Sequence, residues 1–72
     1  MAVLRILGID PGSRYMGYGV IERNGSRLRY IHADRLVLGN MPFTERLLKI
    51  DAFLGELLAL YEPDCAAFEG IF

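Results

Sequence analysis

The sequence predicts an α/β domain, on three observations. A nearly continuous apolar run from Ala2 to Ile9 reads as a strand covered on both faces. An Asn24-Gly25 pair between two strand-like stretches reads as a hairpin. Leu47, Ile50, Leu54, Leu57 and Tyr61 recur at spacings of three and four, the signature of one helix face.

The first strand, Ala2 to Ile9, is broken only by Arg5 and Gly8, and Asp10-Pro11-Gly12-Ser13 stops it with a turn. Proline fixes φ there and glycine permits positive φ. Tyr15 to Arg23 is the second strand, its face thinned by Gly17 and Gly19, and Arg27 to Leu38 is the third. A two-residue Asn24-Gly25 loop sets Glu22 opposite Arg27 and Ile21 opposite Leu28, pairing charge with charge and apolar with apolar. Asn40 or Thr44 is placed to cap the helix, with Pro42 near its first turn. Leu48 and Leu58 widen the apolar stripe, and Pro63 ends the helix. Cys65 to Phe68 is a fourth, short strand. Three strands form an antiparallel meander, and a helical crossover brings the fourth alongside the first and parallel to it.

Composition narrows the function. The chain has 72 residues, 53% of them hydrophobic, which excludes intrinsic disorder and leaves apolar surface for a second chain or a further stretch of the same one. A net charge of −1 gives no global basic field for nucleic acid. The single cysteine, Cys65, has no intramolecular disulfide partner, so a reducing, cytoplasmic compartment is expected. No apolar run approaches the roughly 20 residues of a membrane span, and the N-terminus lacks the layout of a signal peptide.

Two carboxylates stand out. Asp10 follows the apolar run of the first strand and Glu69 that of the fourth. If those strands are parallel neighbours, about 4.8 Å apart, both acids lie at one end of the sheet. There they could share a hard cation such as Mg²⁺, which takes oxygen ligands. Two carboxylates so close need a cation, or one must bind a proton. Each alone has a blander reading: Asp10 as a turn former before Pro-Gly, and Glu69 as a solvated strand end.

The string Leu7-Gly8-Ile9-Asp10-Pro11-Gly12-Ser13-Arg14, followed by Gly17-Tyr18-Gly19-Val20-Ile21, resembles the opening of the RuvC family. The segment from Tyr61-Glu62-Pro63-Asp64 through Ala67-Phe68-Glu69 to Ile71-Phe72 resembles that family's second acidic motif. The resemblance implies a ribonuclease H-like fold, with residues 1–72 as the N-terminal part of a single nuclease domain whose C-terminal half lies beyond them. It implies a homodimeric, Mg²⁺-dependent endonuclease, with Mn²⁺ a possible substitute, that cuts four-way (Holliday) junction DNA in recombination and repair beside a branch-migration helicase complex. By motif matching, Asp10 and Glu69 are the first two catalytic, metal-binding acids. Phe72 matches an aromatic used at the DNA junction, where stacking on bases is its physical role. Ser13 and Arg14 border the acidic end and are candidate DNA contacts. The family completes its site with two later acids that these 72 residues do not contain, so the chain alone is expected to lack efficient nuclease activity and to self-associate.

Other readings start from the same residues. Actin-like ATPases and sugar kinases also open on a strand, an Asp-x-Gly turn and a hairpin, and Gly12, Ser13 and Arg14 could cradle a phosphate as they do. The later Pro63-Asp64 to Glu69 strand argues against that. A degenerate resolvase or interaction module using the leucine-rich helix, and a ribonuclease H-like nuclease acting on another nucleic acid, are the remaining alternatives.

Overall fold

A computed structural model describes residues 3–12 and 14–68. The elements run β1 (Leu4–Asp10), β2 (Tyr15–Asn24), β3 (Arg27–Val37), α1 (Phe43–Tyr61) and β4 (Cys65–Phe68). They form one sheet in the order β3-β2-β1-β4, with β1 and β2 antiparallel, β2 and β3 antiparallel, and β4 parallel to β1. The meander and the helical crossover are as expected from the sequence.

Alternation along the strands divides the sheet into two faces. Leu7 and Ile9 of β1, with Met16 and Val20 of β2, point toward α1 and are buried. With Leu38 and Leu57 they make the core, against which Tyr18, Ile50, Phe53, Leu54 and Tyr61 pack. The opposite face carries Leu4, Ile6, Gly8 and Asp10 of β1. Leu4 and Asp10 are exposed there, so β1 is covered on one face rather than two among the described residues.

Three local expectations need correction. The hairpin turns at Gly25-Ser26, not Asn24-Gly25, so Glu22 lies opposite Arg29 and Ile21 opposite Tyr30. Gly25 has φ +64° and Asn24 is not in the positive-φ region. A tight turn with one left-handed residue gives that place to glycine, and the Asn24-Gly25 turn would need two. A bulge between Val20 and Ile21 then shifts the β2–β3 pairing by one more residue. Neither Asn40 nor Thr44 caps α1: the N-cap is Pro42, whose carbonyl accepts from Arg46 N at 2.9 Å. Finally, Leu47, Leu48 and Leu58 are at least half exposed, while Phe53 joins the packed side. One helix face meets the sheet, and the apolar stripe is wider than that face. The helix ends as expected before Pro63, with Glu62 in a left-handed conformation (φ 46°) and its N–H bonded to Leu58 O at 3.0 Å.

Candidate metal centre at the end of strand β1

Asp10 is the last residue of β1, exposed on the face that α1 does not cover. Its carboxylate makes no hydrogen bond or ion pair with a described residue. The turn that follows is sterically defined. A Cβ on Gly12 would stand 2.5 Å from the carbonyl oxygen of Tyr15, closer than real contacts allow. Arg14 O accepts from Leu38 N at 2.7 Å and Gly39 N at 3.2 Å, which ties this turn to the end of β3. Arg14 itself is exposed.

Beside Asp10 the sheet surface is nearly bare. Gly17 pairs with Asp10 and Gly19 with Gly8. A Cβ on Gly17 would lie 3.7 Å from Asp10 Cβ, so both point to the same face. With Ala67 of β4, these residues line a shallow depression of about 370 Å³.

At the other end of β1, Arg5 fixes where β4 begins. Arg5 N donates to Asp64 Oδ2 at 2.7 Å, and Asp64 N donates back to Arg5 O at 2.8 Å. The Arg5 guanidinium bonds Glu22 Oε2 through Nη2 at 2.6 Å and Nε at 3.1 Å, and Tyr61 O through Nη1 at 2.6 Å. One arginine thus joins β2 and the last residue of α1 to β1. This reciprocal contact sets the register of the parallel pair: Ile6 opposite Cys65, Leu7 opposite Ala66, Gly8 opposite Ala67 and Ile9 opposite Phe68. Sequence reasoning noted Asp64 only as part of a motif, and its positioning role emerges from this contact.

Ser13, Glu69 and Phe72 lie outside the described residues. The described residues contain no cluster of three metal-ligating side chains; of the two acids expected from the sequence, Asp10 is described, and Asp34 lines the same depression. Sequence reasoning also passed over Arg35, which the β2–β3 register sets opposite Gly17, in one row with Asp10. The glycines of β2 were a signal of close approach at this row, but only the true register shows which β3 residue shares it.

A mixed sheet of this strand order, with a helix crossing from the meander to a strand parallel to the first, defines a ribonuclease H-like protein. The chain belongs to the RuvC family: the family model described as crossover junction endodeoxyribonuclease RuvC matches residues 6–72. The crossover junction endodeoxyribonuclease RuvC of Janthinobacterium sp. (strain Marseille) is 44% identical over 69 residues, covering 96% of this chain and 38% of that protein. The corresponding protein of Acidiphilium cryptum is 51% identical over 67 residues, covering 90% of this chain and 40% of its own length. The chain therefore spans about two-fifths of the curated relatives it matches. Among solved structures, T. thermophilus RuvC in complex with Holliday junction substrate superposes with a TM-score of 0.79 at 30% identity, over 96% of this chain and 44% of that one. The Aquifex aeolicus PPX-GPPA enzyme, at 15% identity and a TM-score of 0.68, shares the fold alone. The described residues include no helix long and apolar enough to cross a membrane.

Proposed function

We propose that residues 1–72 are the N-terminal part of a nuclease domain that cuts four-way junction DNA, and that Asp10 and Glu69 are its first two metal-binding carboxylates. One observation carries this reading: Ile9 and Phe68, each one residue before an acid, are partners in the parallel pair. Neighbouring strands are about 4.8 Å apart, a separation that one hard cation bridges through carboxylate oxygens. The carboxylate of Asp10, exposed and without a hydrogen-bond or ion-pair partner among the described residues, fits such an ion. Mg²⁺ is the expected cofactor, since it takes oxygen ligands and keeps water.

When bound, metal ions here would supply Lewis acidity and an activated water for phosphodiester hydrolysis. The chain's own residues do the rest. Asp10 and Glu69 hold the ions, while Arg5 and Asp64 keep β1 and β4 in register. Gly8, Gly17 and Gly19 leave the surface beside Asp10 low enough for a phosphodiester to approach. Ser13 and Arg14, which follow Asp10 in the sequence, and Phe72, which follows Glu69 in the sequence, are proposed DNA contacts. The homodimer and the branch-migration helicase complex are proposed partners of the whole protein.

A chimera tests this reading. Residues 1–69 of this chain replace the matching segment of the Janthinobacterium relative, and cleavage of a synthetic four-way junction is followed in Mg²⁺. The chimera should cut. Asp10→Asn or Glu69→Gln should abolish cleavage while junction binding persists. Full turnover by either variant would end the catalytic assignment.

A further inference from the structure

Three strands contribute to one row across the uncovered face: Asp10 of β1, Gly17 of β2 and Arg35 of β3. The faces agree independently. A Cβ on Gly17 would lie 3.7 Å from Asp10 Cβ, and one on Gly19 3.7 Å from Ala33 Cβ, two residues before Arg35. No side chain stands between Asp10 and Arg35 in this row. Two strand spacings separate their backbones by roughly 10 Å, and no ion pair forms between them.

Arg35 is also held in place. Its guanidinium carbon sits 4.4 Å from the centre of the Tyr15 ring, a cation–π contact that limits its rotamers. Arg5 and Arg29 are paired with Glu22, and Arg23 and Arg46 donate to backbone carbonyls. Arg35 has no side-chain hydrogen bond or salt bridge with a described residue, so its donors are available for an anion. Guanidinium matches a phosphate with two parallel donors.

We propose that Arg35 is a phosphate-binding positioning residue. It seats a phosphate of the same DNA strand a few nucleotides from the phosphodiester held at Asp10. The inference rests on the nuclease reading and extends it. Successive phosphates of one strand rise about 3.4 Å along the axis, so a strand laid across the glycine floor from Asp10 reaches Arg35 within a few nucleotides. Tyr15 acts through Arg35, by fixing where the guanidinium points.

The test uses the 72-residue chain and a short single-stranded oligodeoxynucleotide. Binding is followed by fluorescence anisotropy over a range of salt and by the arginine Nε–Hε resonances in ¹⁵N NMR. The Arg35 resonance should move on binding. Arg35→Ala should reduce the magnitude of the salt slope by about 0.7, the value for one phosphate contact on a single strand, whereas Arg35→Lys should keep most of it. Arg35 is exposed, so circular dichroism of both variants should match the parent. An unmoved Arg35 resonance at the highest oligonucleotide concentration, or an unchanged slope in Arg35→Ala, overturns the proposal. Mn²⁺ broadening around Asp10, recorded without DNA, separates the two readings. Broadening with a silent Arg35 sinks the phosphate seat alone. A responsive Arg35 without broadening sinks the metal site and leaves the phosphate seat standing.

Discussion

Ile9 and Phe68 lie opposite one another in parallel strands, each one residue short of an acid in the sequence. Strand pairing brings distant parts of the chain to the same end of the sheet, and the register of β4 decides whether Asp10 and Glu69 can act together. What holds that register is therefore as important as the acids themselves.

Asp64 is the register lock. Its side chain accepts from Arg5 N and its own N–H donates to Arg5 O. Asp64→Ala should destabilise the chain by about 1–2 kcal/mol and weaken Mn²⁺ binding near Asp10. Asp64→Asn keeps an acceptor oxygen and should restore most of both. Urea denaturation and Mn²⁺ titration check this, and a loss of stability with metal affinity intact would separate Asp64 from the site.

Arg5 joins β1 to β2 and to the end of α1 through a part-buried network. Its side chain and that of Glu22 are 36% and 16% exposed, so solvent weakens the ion pair only in part. Arg5→Ala leaves Glu22 and the Tyr61 carbonyl without their main donor and should cost about 2–3 kcal/mol. Glu22→Gln retains an acceptor and should cost less. Equal urea midpoints for Arg5→Ala and the parent would contradict this account of the clamp.

Two glycines should respond in opposite ways. Gly12→Ala drives a Cβ toward backbone that cannot yield, 2.5 Å from Tyr15 O, and should destabilise by roughly 1–3 kcal/mol through strain in the turn. Gly55 lies inside α1 with nothing within 4 Å of an added Cβ. Gly55→Ala should stabilise by up to about 1 kcal/mol by helix propensity. Thermal melts of the two variants check both signs.

Tyr18 packs edge-on against Phe53, with ring centroids 5.1 Å apart, and its hydroxyl lies 3.4 Å from His32 Nε2. Burial, followed by the charges of Asp34 and Tyr61, holds its pKa above the ordinary value of 10.0. Folding thus favours the neutral phenol. This stabilising contribution is fully present below the unfolded pKa and is lost as pH rises through the higher folded value. Stability should fall above about pH 10, less steeply in Tyr18→Phe. In an ultraviolet titration, Asp34→Asn should move the ionisation of Tyr18 to lower pH.

Much of this architecture was legible from the sequence because its signals are periodic. The apolar run before Asp10, the strands around Gly25, the three-four spacing of α1 and the short Cys65–Phe68 segment each matched an element within a residue or two. Register was harder. Glu22 can meet Arg27 or Arg29 with equal electrostatic sense, and the bulge after Val20 leaves no clear trace in composition. That is why Arg35 was missed: the expected pairing, carried back along the strands, sets Gly17 opposite His32 rather than Arg35. Asp10 was legible because an acid interrupts an apolar strand just before Pro-Gly, and the structure puts it on the open face with no partner among the described residues. The exposure of Leu47, Leu48 and Leu58 was not legible, since periodicity gives the width of an apolar stripe and not how much of it a single sheet covers.

The most direct test is a crystal structure of the 72-residue chain soaked in Mn²⁺, with the ion located by its anomalous scattering. One manganese is expected within ligand distance of carboxylate oxygens from both Asp10 and Glu69. Manganese absent from this end of the sheet, or bound with the two side chains pointing apart, would contradict it.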